Sequence, residues 1–501
     1  MNSGPLKISQ VSLWSLLLPS LLLGGLAAWL LEHQYQNDSA LLRWSTLLAV
    51  LDAGELHLEY IGLIHPPVPI YLLTPFYYLP GLATPASPYL LSVLCGGLLL
   101  AMWNYHLRLK RYEASLRVLL LGLTAANPLF LWVMTSGSEK ALSLLMYYLF
   151  CFSILRTLLQ RDSRAIIMLA SSLAGYFFVD ERTFFLTLAF LPVIPMVAPP
   201  NMLREAPLSV FFVISLPVVM AVASWFYLNW IFHGAARNFI TAPDSSFLGK
   251  LLHSGEYPWL VNYGGDWLVP TLIALLLAMA AFPVLIWQVL VVWRSPRLHR
   301  GVLSFSLVPV LAVGVATNSY FLGHPMEMLF LLIAAAMVGL LLLPRPSQQQ
   351  KTLAAGLLLL GDLTGGLLFY GQPSRDMLQW RLALSGQVSD EVYEEERNLG
   401  RFLASNRMPT LLDERAAYRI LAARGDARDL VLSYTPEFKL ALQRADPAVA
   451  QILVSNPHRN QNSRDAISEQ YPELFLEGLP GYRLVYEGMD WRVYRRLEMQ
   501  R

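Results

Sequence analysis

The chain has 501 residues, 55% of them hydrophobic and 14% charged, with a formal net charge of +2. A soluble globular protein carries roughly 25% charged residues, and charge here gathers only after about residue 374, so a wholly soluble fold is excluded. The near-neutral balance leaves no basic footprint for nucleic acid, and the two cysteines, Cys95 and Cys151, lie in apolar runs without disulfide or metal spacing.

The first apolar run, Val11 to Leu31, follows a short segment whose basic residue is Lys7. It has the length of a spanning helix and lacks a small-x-small cleavage site, which predicts a retained anchor rather than a removed signal. Further apolar stretches at 87–107, 113–133, 141–159, 165–179, 183–199, 208–230, 268–293, 301–317, 326–343 and 352–371 predict a polytopic α-helical membrane protein of about 11 crossings. Two of them, 165–179 and 183–199, are short enough to pair as a hairpin.

Lys and Arg in short loops mark the cytoplasmic side. They cluster at Arg108 to Arg111, Arg156 to Arg164, Arg204, Arg294 to Arg300 and Arg345 to Lys351. With the N-terminus inside and about eleven crossings, all of these fall inside. The parity holds only if 66–81 does not cross. Pro66, Pro67, Pro69, Pro75 and Pro80 remove backbone donors there, so the stretch is expected as short interfacial pieces on the outer face. The outer face then receives residues 32–86, the loops at 134–140, 180–182, 231–267 and 318–325, and the C-terminal tail.

These outer segments hold acids, His, Trp and Asn. Asp38 lies just beyond the first span, where a carboxylate could take a proton from an acceptor hydroxyl. The plainer alternative is that Asn37-Asp38-Ser39 caps the helix that follows. Asp52, Glu55 and Glu59 share one face if helical and could bind a cation or orient a base, or form a solvated face. His65 precedes a rigid Pro66-Pro67 turn and could donate to a phosphate. Glu139, opening the fourth span, sets a second carboxylate at the depth of Asp38, although an acid in a first turn also suits the helix dipole. Arg182 stands on the outer side against the charge rule. It suits either a bidentate phosphate contact or a local salt bridge with Asp180 or Glu181. His324-Pro325 opens the tenth span. Asp362 lies within the last span beside Gly361 and Gly365, whose spacing predicts close helix packing with the acid bonded across an interface.

The tail alternates strand-like runs (410–412, 430–432, 452–454) with helical stretches and ends in a hairpin, Tyr482 to Tyr486 and Trp491 to Tyr494. This predicts two domains: a transmembrane domain over 1–373 with its outer loop 32–86, and a small extracytoplasmic α/β domain over 374–501. The sequence holds no P-loop, dinucleotide fingerprint or zinc-type cluster.

In layout the chain resembles the integral-membrane glycosyltransferases of the GT-C fold, the group holding protein O-mannosyltransferases and bacterial aminoarabinose transferases. The resemblance rests on Asp38 after the first span, the Pro66-Pro67 turn behind His65, Glu139 after the third span, His324 before a late span, and the tail hairpin. It departs from the usual pattern in having Glu at 139 and His at 65. The resemblance implies inverting, one-step transfer of a sugar from a polyprenyl-phosphate donor to a glycan, lipid or protein acceptor on the periplasmic face of a bacterial inner membrane. It implies Asp38 and Glu139 as catalytic acids, His65, Arg182 and His324 as contacts to the donor phosphate, and Asp52, Glu55 and Glu59 as acceptor-side or orienting acids. Some members use a divalent cation such as Mg2+ or Mn2+ and others none, so metal dependence stays open. Two other classes compete. A transporter or lipid flippase would need mid-bilayer ionisable groups and a repeat of spans, of which the sequence offers Asp362 and no repeat. A non-catalytic scaffold would recruit a partner through the tail.

Overall fold

The computed structural model describes residues 13–52, 65–160, 163–241, 267–318, 324–343, 347–371, 374–388, 393–443, 449–457 and 465–497. The chain divides into two compact units. One holds residues up to Glu32, Tyr89–Trp225 and Lys250–Gly386; the other holds His33–Pro88, Phe226–Gly249 and Gln387–Arg501.

The first unit is helical. Among the described residues of the whole chain, six helices are long and apolar enough to cross a bilayer: Leu13–Glu32, Ser87–Leu109, Lys140–Leu159, Pro207–Phe232, Pro296–Thr317 and Gln348–Tyr370. Two bent pairs raise the number to eight if each is a single span. Shorter apolar helices fill Arg164–Phe177, Thr183–Val197 and Met326–Leu342. All eleven apolar stretches are therefore helical, while length and composition support six to eight crossings. Leu332–Leu342 is apolar on every side and buried along its whole length, as an all-round apolar helix must be. Leu13–Glu32 and Pro207–His233 instead leave large side chains such as Trp14, Leu21, Leu208 and Phe212 exposed, which suits contact with lipid.

The stretches expected as straight spans at 113–133 and 268–293 are bent. Ala114–Ala126 meets Pro128–Thr135 at 69°, and Leu268–Ala281 meets Pro283–Val291 at 87°. Each break falls where a proline lacks the donor for the preceding turn and its ring displaces that turn's carbonyl. At the first break Asn127 replaces the lost bonds. Its Oδ1 accepts from the Leu129 and Phe130 amides, and its Nδ2 donates to Asp362 at 2.7 Å. Beside Asp362, a methyl on Gly361 would meet the Ala281 carbonyl at 2.7 Å. The last apolar helix thus packs tightly at Gly361, with Asp362 bonded across the interface as its spacing predicts.

The second unit is built on a five-stranded sheet in the order β2-β1-β3-β5-β4, with β1 Thr410–Leu412, β2 Leu430–Leu432, β3 Gln451–Ser455, β4 Tyr482–Glu487 and β5 Trp491–Arg496. β1, β2 and β3 run parallel, and β5 lies antiparallel to both β3 and β4. Alternation along the strands sorts the core. Leu412, Leu432, Leu453 and Val493 face one side with Leu399, Leu403, Ile420 and Leu421 of two helices. Leu411, Ile452, Val454 and Tyr494 face the other with Phe438, Leu474 and Phe475. The helix Asp38–Asp52 belongs to this unit, since its Ala49 enters the first of these clusters.

Three devices hold the parts of this unit in place. The helices Glu394–Ser405 and Tyr418–Arg424 approach closely at Gly400, where a Cβ would lie 2.8 Å from the Ile420 carbonyl. Tyr418–Arg424 then ends on Gly425 at φ 87°, the left-handed conformation that glycine adopts without a Cβ penalty. Glu395 accepts from the Met489, Asp490 and Trp491 amides and so fixes the final hairpin turn.

Candidate functional site

Asp38 opens the helix Asp38–Asp52 without capping it. Asn37 takes that role, its Oδ1 accepting from the Ala40 amide at 3.0 Å. The Asp38 carboxylate is thereby left for Arg419, which donates to Oδ1 from Nε at 3.0 Å and from NH2 at 2.8 Å. Arg419 lies over the Tyr393 ring, 4.3 Å from its centroid, and reaches Glu396 at 3.4 Å. Burial raises the Glu396 carboxyl above the usual range, with Arg419 opposing that shift. Burial likewise raises the Tyr418 phenol, which is hydrogen-bonded to Asp38.

Next to this pair lies a hollow of about 150 Å3 lined by Gln36, Leu41, Pro85, Tyr393, Glu396, Arg397, Arg401, Arg419 and Ala423. Arg397 and Arg401 stand one helical turn apart and so share a face. Arg397 donates to Gln34 Oε1 at 2.6 Å. None of these arginines was singled out by the sequence. An Arg–Asp pair whose members are 381 residues apart leaves no local spacing to read.

Asp52 closes the same helix and is committed on both oxygens. Oδ1 accepts from the Tyr77 hydroxyl at 2.6 Å, and Oδ2 from the Ala427 amide at 2.9 Å. Arg428 lies 3.7 Å away. These contacts tie the helix to Val68–Tyr78 and to the sheet domain. His65 is half-buried, and its Nε2 has no partner among the described residues. Glu55 and Glu59 lie outside the described residues.

In the first unit Arg182 sits between two acids. Its Nε donates to Asp180 at 2.8 Å and its NH2 to Glu139 at 2.8 Å, while NH1 reaches the Glu327 carbonyl at 3.2 Å. Asp180 also accepts from the Ser143 hydroxyl at 2.6 Å, and Arg182 and Asp180 are both buried. The geometry is that of the local salt bridge, widened to include Glu139. His324 Nδ1 accepts from the Met326 amide at 3.2 Å, and burial pushes its imidazole down to about 4. At neutral pH it therefore offers a ring N–H rather than a positive charge. Among the described residues no group of three or more His, Cys, Asp or Glu is placed to hold a metal ion.

No protein family matches this sequence, and no curated protein does. Among solved structures the chain is similar to ArnT from Cupriavidus metallidurans bound to undecaprenyl phosphate, at 14% identity. The similarity covers 95% of this chain and 97% of that one, with a TM-score of 0.52. This chain has a GT-C-like fold. Coverage of this extent takes in both the apolar helices and the sheet domain. A GT-C-like chain at this identity keeps the frame while its side chains differ at most positions. Arg397, Arg401, Arg419 and their hollow therefore have to be argued from their own geometry.

Proposed function

We propose that this chain is a membrane glycosyltransferase that moves a sugar from a polyprenyl-phosphate donor to an acceptor hydroxyl on the periplasmic side of a bacterial inner membrane. The observation that carries the reading is the GT-C-like fold over 95% of the chain, with a half-exposed carboxylate, Asp38, on the segment that follows the first apolar helix. The basic loops support eleven crossings with the N-terminus inside and the tail outside.

In the proposed reaction the acceptor oxygen attacks the anomeric carbon from the face opposite the phosphate. The anomeric C–O bond breaks and its electron pair leaves with the lipid phosphate, so the configuration inverts. Asp38 takes the acceptor proton as general base. Arg419 holds Asp38 Oδ1, which fixes the direction of the carboxylate. Glu139 acts as a second acid held by Arg182, whose guanidinium stays in that salt bridge, and His65 and His324 contact the donor phosphate as charge develops on it. Asp52, Glu55 and Glu59 belong to the acceptor side, with Asp52 anchoring the helix that presents Asp38. The transport alternative leans on Asp362, but that carboxylate is engaged with Asn127 at a helix interface.

Reconstituting the full chain with a synthetic polyprenyl phosphosugar and envelope extract as acceptor source tests the reading. Release of lipid phosphate by Asp38→Asn is expected to fall by about 100-fold or more, the usual contribution of a general base. Unchanged release in that variant removes Asp38 from the chemistry.

A further inference from the structure

We propose that the hollow lined by Arg397, Arg401 and Arg419 binds a phosphate-class anion. All of its lining residues belong to the second unit. The inference goes beyond the transferase reading, in which none of these arginines but Arg419 takes part.

Three arginines line one concavity, two of them a turn apart on a single helix. Among the described residues their negative partners are fewer. Arg419 meets Asp38 and Glu396. Arg397 bonds the neutral amide of Gln34, and Arg401 forms no ion pair among the described residues. Counting Asp38 and Glu396 as ionised, the five groups leave a formal excess of one positive charge. Like charges lining one hollow repel one another, and an anion that joins them relieves that repulsion. Guanidinium groups match phosphate oxygens through paired, planar N–H donors, a geometry that lysine cannot offer.

The size is consistent. At about 150 Å3 the hollow holds roughly five waters at about 30 Å3 each, enough for a phosphoryl group and its first substituent. Leu41, Pro85 and Ala423 give the wall an apolar portion against which such a substituent can rest.

The site is also joined to Asp38. Arg419 lines the hollow and grips Asp38 at the same time, so an anion in the hollow competes for the guanidinium and loosens its hold on the carboxylate. Occupancy of the hollow and freedom of Asp38 are coupled through one side chain.

The experiment titrates the full chain in neutral detergent with inorganic phosphate and, separately, with dioctanoyl phosphatidic acid, using dioctanoylglycerol as the uncharged control. Affinity is read by calorimetry at two salt concentrations. Binding of either anion but not of the control is expected. Arg397→Gln and Arg401→Gln are each expected to weaken it about tenfold or more, as the loss of a charge-assisted bond does. Arg401→Lys recovers part of the loss. Preference for phosphatidic acid assigns the site to a lipid headgroup, and equal binding of both assigns it to the phosphate alone. Arg401 is exposed and unpaired among the described residues, so its variants retain the fold. Affinities equal to wild type in both glutamine variants, or no binding of either anion, overturn the proposal. In Asp38→Asn, binding is expected to persist or tighten. A chain that keeps full transferase activity as Asp38→Asn yet loses anion affinity as Arg401→Gln overturns the catalytic role and leaves the anion site standing.

Discussion

Glu414 shows how a single buried carboxyl sets a pH dependence. Its oxygens accept from the Ser433 amide and hydroxyl, and burial raises its pKa to about 7, with Asp413 adding to the shift. Asp465 is raised to about 6, again chiefly by burial and then by Asp413. A raised acid binds more protons folded than unfolded between its two pKa values, so its contribution to stability is full below about pH 4 and is lost as pH climbs through 6 to 7. The thermal midpoint of the second unit is therefore expected to fall between pH 4.5 and 7.5. Glu414→Gln keeps both bonds, because the Ser433 hydroxyl can turn to accept. It is expected to flatten that slope and to stabilise the unit above pH 7 by on the order of 1–3 kcal/mol. Tryptophan-fluorescence melts of the two proteins across the range check this, and parallel curves would contradict it. At this scale the sequence was partly readable. Asp38 and Arg182 stand out because charge is rare beside apolar spans, and Asp362 because Gly361 and Gly365 flank it. Arg419 and Glu395 do not stand out, since in a polar tail a charged residue is ordinary and its partner lies far along the chain.

Between elements, two helices of the second unit approach closely where Gly400 faces Ile420 and Ala423. The contact brings the Arg397–Arg401 face of one helix beside Arg419 of the other. Gly400→Val is expected to cost about 1–3 kcal/mol through overpacking, read as a lowered thermal midpoint. A midpoint equal to wild type would mean that the two helices part without penalty. Elements were the most legible level of this chain. The strands at 410–412, 430–432 and 452–454 fall on short apolar runs between helical stretches, the closing hairpin lies where it was expected, and the apolar stretches are helices. The bends at Pro128 and Pro283 were missed because a window average of hydropathy runs smoothly across a proline, while the hydrogen-bond ladder does not.

For the whole molecule, the expected boundary near residue 373 follows the change in composition, but compactness groups the chain differently. Trp380 donates to Thr135 and Trp132 donates to Asp376, which place Arg375–Leu384 with the apolar helices. Residues 33–88 go with the tail, drawn by Ala49, Asp52 and Tyr434, whose hydroxyl bonds the Ala49 carbonyl. Composition could not reveal this, because that segment reads as an interfacial loop until its partners are known. The proposed topology has a direct test. Cys95 and Cys151 are both buried, so they give a quiet background for thiol labelling. Met489→Cys, at an exposed turn, is expected to react with a membrane-impermeant maleimide in intact spheroplasts, and Gln349→Cys only after permeabilisation. The reverse pattern would turn the molecule over and place Asp38 on the wrong side for a periplasmic acceptor.

The pairing of Asp38 with a residue 381 positions later has a consequence for how the protein is made. A ribosome adding about 5–20 residues each second needs roughly 20–80 s to travel that distance. Through that interval the early helix has emerged with its aspartate and its Ala49 face uncovered, while the apolar segments from residue 89 onward are still being made. Closure of the second unit is thus among the last events of biogenesis, and a nascent chain stalled before residue 419 carries an open, unguarded carboxylate.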